Sequence, residues 1–174
     1  IFRNILIALI ISILIIILKP LILHFLNKIF STSSQTKVLI DEYISIRVYS
    51  APAELIAYVL VGFYLGIQKT IISSLLIITS SFLNIILSIY FVKELNLNVS
   101  GVALGTLIAF YITIIIFSIY SYFFIIKKFK VIPRFNSKSI FNFKKIFKLL
   151  NINFNIFIRT ILLTFSFLWI SYLG

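Results

Sequence analysis

Acid–base and metal chemistry have few groups to work with in this sequence. Four carboxylates (Asp41, Glu42, Glu54 and Glu94) stand against sixteen lysines and arginines, one histidine and no cysteine. Disulfides and thiolate metal sites are therefore excluded. An enzyme needs a nucleophile–base pair or a cluster of metal ligands. Neither is written here, so the expectation is a non-enzyme without a cofactor. Glu54 is the acid that demands an explanation, because it sits two residues after Pro52 in an otherwise apolar run. A charged carboxylate within hydrocarbon costs ~3 kcal/mol, so it is normally turned inward and either partnered or protonated. Arg47, Ala51, Glu54, Tyr58 and Gly62 recur at steps of three and four, which places them along one helical stripe. Two readings of Glu54 stay open. It binds a proton or a cationic substrate, or it pairs structurally with Arg47 or Tyr58. Pro52 removes a backbone hydrogen bond and is expected to kink the helix.

A second set of polar residues follows. Ser73, Ser80, Ser81, Asn84 and Ser88 fall in the next apolar run, with Asn84 and Ser88 one turn apart. Serines in such runs help helices pack or bond back to their own backbone. Asn84 asks for more, since a buried amide has several donors and acceptors to satisfy. Gly101, Gly105 and Ala109 repeat at spacing four and form a small-residue face that permits close helix approach. Thr106 and Thr113 lie beside that face, where Thr106 either lines a cavity or packs. His24 reads as a histidine at a membrane interface rather than as a ligand.

The elements that must position these residues are membrane spans. Apolar residues make up 61% of the chain and charged residues 11%, against about a quarter charged in a soluble domain. Mean hydropathy is +1.18. The apolar blocks are far longer than the ~10 alternating residues of a barrel strand, so they read as helices. The expected spans are about 4–18 (with an extension to 30 beyond Lys19-Pro20), 44–67, 70–92 and 101–126. A fifth starts near 157 and is cut off at Gly174. The chain opens on Ile1 and lacks Met, so it is expected to be a piece of a longer protein. Arg3, Lys69 and the connection 127–156 with Arg159 carry eleven basic residues, and the opposite ends of the spans carry five. The richer side is expected to face the cytoplasm. Within the connection, Phe141, Lys144, Lys145, Lys148 and Asn151 alternate with Ile140, Phe143, Ile146, Phe147 and Leu150 at helical spacing. That pattern suits either an interfacial helix or an ordinary basic tether. Basic residues that flank spans do not suggest nucleic acid.

Four stretches together resemble the multidrug and toxic compound extrusion (MATE) family, in its DinF-like branch. Tyr43–Gly66, YISIRVYSAPAELIAYVLVGFYLG, is similar to the family's fourth helix. Phe82–Ser88 (FLNIILS), followed by FVKEL, resembles the fifth, and Asn98–Thr106 (NVSGVALGT) the turn into the sixth. Leu150–Leu163 (LNINFNIFIRTILL) resembles the entry to the seventh. The resemblance implies an all-α, polytopic membrane protein built as two bundles of six helices. Its activity would be efflux of a small organic compound, cationic or amphipathic, by alternating access against H⁺ or Na⁺. The chain would supply helices three to seven of a multi-pass protein of the plasma (inner) membrane. Its partners would be the lipid bilayer and the remaining helices of the full-length protein. Arg47, Glu54, Tyr58, Asn84, Ser88 and Thr106 become candidates for the cavity or for ion coupling. The family often places an Asn and an Asp one turn apart in helix five. Asn84 matches the first, whereas Ser88 stands where the acid would be. The alternative is a lipid-linked saccharide flippase of related fold, which would call for several intramembrane cations where only Arg47 offers itself.

Overall fold

A computed structural model describes residues 1–29, 34–129 and 143–173. Nearly all the described residues are helical, and none is in a strand. Two compact units emerge, Ile1–Pro133 and Arg134–Gly174. The first contains α1 (Phe2–Ile17), α2 (Lys19–Ile29), α3 (Ser34–Arg47), a 3₁₀ turn (Val48–Ser50), α4 (Ala51–Gly66), α5 (Thr70–Lys93) and α6 (Asn98–Phe129). The second contains α7 (Phe143–Leu173).

Three helices are long and apolar enough to cross a membrane, Gln35–Gly66, Thr70–Lys93 and Asn98–Lys127. A fourth is added if the pair Phe2–Ile17 and Lys19–Leu26 forms one broken span, bent by 55°. The break has a chemical cause. Pro20 lacks an N–H, and its ring collides with the carbonyl four residues back, so the helix stops at Leu18 and restarts at Lys19. The apolar extension is thus helical through Ile29, while Phe30 lies outside the described residues.

Two helices extend beyond the apolar runs they contain. The span expected at 44–67 belongs to a helix that starts at Ser34. Its polar first turns carry Gln35, Lys37, Asp41 and Glu42, which hydropathy assigns to solvent although helical hydrogen bonding continues through them. Likewise α7 covers Phe143–Leu173, with its apolar part at Phe157–Ser171. Much of the connection at 127–156 falls outside the described residues, but its last part is helix.

Packing in the first unit is inverted relative to a soluble protein. Buried apolar side chains are mostly small, including Ala8, Ala53, Ala57, Ala103 and Ala109, and they share the interior with Ser12, Ser50, Ser73, Ser80, Thr106, Thr113 and Ser121. Large apolar residues point outward, with Ile71 at 76% and Phe123 at 64% exposure. Lipid tails are as apolar as leucine, so such helices associate through close backbone approach and hydroxyl hydrogen bonds. The α5–α6 pair shows this directly. A Cβ built at Gly105 would lie 2.5 Å from Ser88 Oγ and 2.7 Å from its backbone nitrogen. A small apolar cluster of Ala57, Leu60 and Leu76, covered by Val61, Phe110, Ile114 and Phe117, ties α4, α5 and α6 together.

The turns are tight. At the end of α4 the Lys69 N–H bonds to the Tyr64 carbonyl (2.8 Å) and the Gln68 N–H to that of Leu65 (3.0 Å). This is the Schellman pattern, with Gln68 at φ 58° in the left-handed position that glycine usually takes. Between α5 and α6, Asn96 and Asn98 take positive φ, which asparagine tolerates better than most residues.

Candidate functional site

Two polar sets lie inside the spans of the first unit. The first is built on the junction of α3 and α4. Pro52 offers no N–H to the Val48 carbonyl, and the Ala51 N–H bonds to it instead, which tightens the chain into the 3₁₀ turn. A 3₁₀ turn thus sits just upstream of Pro52, which lies in the first turn of α4.

Across this turn the stripe closes on itself. Arg47 Nη2 and Glu54 Oε2 are 2.7 Å apart, with side chains 26% and 20% exposed. The Tyr58 hydroxyl donates to Glu54 Oε1 at 3.0 Å. Arg47 Nη1 also donates to Ser50 Oγ, and that hydroxyl donates to the Arg47 carbonyl at 2.6 Å. Both carboxylate oxygens of Glu54 are thus engaged, one by a cation and one by a phenol. The charges cancel, which is what hydrocarbon demands.

Neighbouring helices hold the turn from outside. The Arg47 guanidinium carbon lies 6.0 Å from the Phe110 ring centroid on α6. Lys19, at the start of α2, places its ammonium 5.6 Å from the Tyr49 ring centroid. The Tyr111 hydroxyl of α6 donates to the Tyr49 carbonyl at 3.2 Å. Each contact reaches the segment where regular α-helix gives way to 3₁₀ geometry.

The second set joins α5 and α6. Ser88 Oγ donates to Asn84 Oδ1 at 2.9 Å. Thr106 Oγ1 lies 3.4 Å from the same oxygen and 2.9 Å from the Val102 carbonyl. One hydroxyl proton cannot serve both well, and the shorter bond to its own helix takes the larger share. Asn84, Ser88 and Thr106 together present three neutral oxygens and no carboxylate. Such a group can orient a cation's shell or a polar ligand, but it supplies no countercharge.

The two sets are each bonded internally and share no hydrogen bond or ion pair among the described residues. Phe110, one turn beyond Thr106 on α6, is the ring beneath Arg47, so the sets flank the same stretch of α6. No group of three or more His, Asp or Glu side chains among the described residues is placed to hold a metal ion. His24 is exposed on α2.

Sequence reasoning missed several members. Ser50 had a signal, since Arg-x-x-Ser places a hydroxyl one turn from a guanidinium. Phe110 had none, because α6 is rich in aromatics throughout. Tyr64 is fully buried and its hydroxyl pairs with Ser121 Oγ at 2.7 Å, joining α4 to α6. A tyrosine fully buried among phenylalanines gives no pattern by which to pick it out. Thr113 Oγ1 is buried with no hydrogen-bond partner among the described residues.

Over 74 residues the chain is 42% identical to DNA damage-inducible protein F of Escherichia coli (strain K12). That stretch is 42% of this chain and 16% of the relative, so the match spans less than a fifth of the relative's length. No family model matches the chain. No solved structure matches it.

Proposed function

We propose that the chain is part of a MATE-type secondary active efflux transporter, moving a small cationic or amphipathic compound against H⁺ or Na⁺ by alternating access. The observation that carries this reading is the closed set Arg47–Glu54–Tyr58, seated across a 3₁₀ turn within a membrane-length helix. Intramembrane ion pairs are costly and mark ion or substrate paths by default, and irregular backbone at such depth is tolerated where it is packed by protein or lines a cavity. The stretch 42% identical to the E. coli protein supports the same family assignment, as do the four resembling segments.

In this reading Glu54 exchanges Arg47 for a proton or a cation during the cycle, while Asn84, Ser88 and Thr106 supply neutral oxygens along the wall. The loop preceding α7 faces the cytoplasm. The test uses the full-length protein in liposomes, with efflux of a fluorescent organic cation driven by an imposed pH or Na⁺ gradient. Glu54→Gln is expected to lower the driven rate at least about tenfold, the size of one lost charge-assisted contact. A variant with unaltered rate and pH dependence removes Glu54 from coupling.

A further inference from the structure

We propose that α2 is a lever whose position is set by the Arg47–Glu54 pair, through the contact of Lys19 with Tyr49. Two prolines interrupt two helices at one depth. Pro20 lies at the break between α1 and α2, where the chain bends by 55°. Pro52 follows the 3₁₀ turn Val48–Ser50 between α3 and α4. The breaks meet, because the Lys19 ammonium at the head of α2 lies 5.6 Å from the ring centroid of Tyr49, the middle residue of that turn. Lys19 has no ion pair among the described residues, so the ring face is what holds its charge.

A 3₁₀ turn and an α-helix are two windings open to the same residues, and coupling needs such a two-state element. The 3₁₀ form winds about 120° per residue against about 100°, and rises ~2.0 Å against 1.5 Å. Exchanging them over three residues turns one flank against the other by about 60° and changes the length by ~1.5 Å. Tyr49 stands midway. Half of that rotation moves its ring by roughly 3 Å at a helix radius of about 5–6 Å. Arg47 and Glu54 select the winding, since they join the last residue of α3 to the first turn of α4 at 2.7 Å, across the whole 3₁₀ segment. They are the clamp.

The element placed to respond is α2. In the first unit α1 packs on α4 and α3 on α6, whereas α2 packs chiefly on α3. Even that contact is incomplete. A cavity of about 370 Å³ is lined by Leu26 of α2, by Leu39, Ile40, Tyr43 and Ile44 of α3, and by Val99 of α6. With so little beneath it, α2 takes its direction from the bend at Pro20 and from Lys19. The fixed reference is α6, which runs unbroken past the turn and donates the Tyr111 hydroxyl to the Tyr49 carbonyl at 3.2 Å.

Spin labels read the motion directly in the whole chain, which has no native cysteine. No transport is measured, so failure of the coupling and failure of the transporter reading are separate results. His24→Cys on α2 and Ile115→Cys on α6, both exposed, give one distance by double electron–electron resonance in lipid. Ile78→Cys on α5 with Ile115→Cys gives a reference. Arg47→Gln/Glu54→Gln removes the clamp without leaving a lone charge. It is expected to shift the α2 distance by about 3 Å or more, from the change in winding, and to leave the reference unmoved. Adding Lys19→Gln or Tyr49→Leu is expected to abolish that response. An α2 distance that stays put when the clamp is removed would overturn the proposal. An equal shift in the presence of Lys19→Gln or Tyr49→Leu would also overturn it, because α2 would then follow α3 by packing alone. So would an equal shift of the α5–α6 reference, because the whole bundle would be moving.

Discussion

At the scale of single residues, the arrangement around Glu54 is a neutralised pair whose two halves do not stand alone. Removing Arg47 leaves a carboxylate with only the Tyr58 phenol, and removing Glu54 leaves a guanidinium with only Ser50 and a ring face. Uncompensated charge in a span costs ~3 kcal/mol, and truncating one partner of a buried pair typically costs about 3–5. Because each side chain keeps about a fifth to a quarter of its surface exposed, roughly 2 kcal/mol is expected for either Arg47→Gln or Glu54→Gln. The double variant Arg47→Gln/Glu54→Gln should recover most of that loss, since no lone charge remains. Thermal unfolding in a mild detergent measures all three proteins. Additive losses in the double variant would show that the two side chains do not act as a pair. The pair was legible from spacing only as one of two open readings, since residues 47, 54 and 58 fall on one stripe. Its setting was not. Phe110 and Tyr111 reach the turn from a helix some sixty positions away, and no local pattern encodes that contact.

At the scale of elements, glycines show how far sequence spacing can be trusted. Gly101 and Gly105 were read as a close-approach face, and each does meet α5 backbone. A Cβ on Gly101 would lie 3.1 Å from the Phe91 carbonyl carbon, and one on Gly105 2.7 Å from the Ser88 nitrogen and 2.9 Å from its Cα. Gly62 and Gly66 have the same spacing on α4, yet a Cβ at either has nothing within 4 Å. The motif is identical and the environment opposite, because which face of a helix meets a neighbour is decided by the assembled bundle. Opposite outcomes follow. Gly105→Ala must push α5 and α6 apart against backbone atoms that cannot rotate away, which costs about 1–3 kcal/mol. Gly62→Ala places its methyl in open space and gains the helix propensity of alanine, about 0.5–1 kcal/mol. Paired melting curves of the two variants check this, and a destabilised Gly62→Ala would mean that another helix covers that face in the full-length protein. Pro52 adds a related lesson. A missing N–H at a proline is felt by the carbonyl upstream, and the 3₁₀ turn occupies Val48–Ser50.

At the scale of the whole molecule, apolar runs and helices do not have the same extent. Hydropathy reports which residues prefer lipid, but helical hydrogen bonding continues wherever nothing interrupts it. For that reason α3 extends back to Ser34 and α7 back to Phe143 through polar turns. Interruptions follow different chemistry, namely Pro20 and the left-handed residues Gln68 and Asn96. Those last two positions bracket α5, whose 24 residues span ~36 Å, enough to cross the hydrocarbon once. If α5 crosses, Gln68 and Asn96 lie on opposite sides of the membrane, and the asymmetry of lysine and arginine decides which is which. Residue 68 adjoins Lys69 on the side that also carries Arg3 and the basic connection, so it is expected inside. Residue 96 follows Lys93 and Glu94 on the poorer side and is expected outside. Both are exposed, and with no native cysteine present, Gln68→Cys and Asn96→Cys are each the single thiol of their variant. A membrane-impermeant maleimide applied to intact cells should label the cysteine at 96 at once and the one at 68 only after permeabilisation. The reverse pattern would invert the orientation while keeping the span. Labelling of both in intact cells would mean that α5 does not cross, and the transporter reading would fall with it, because Asn84 and Ser88 would no longer lie within a span.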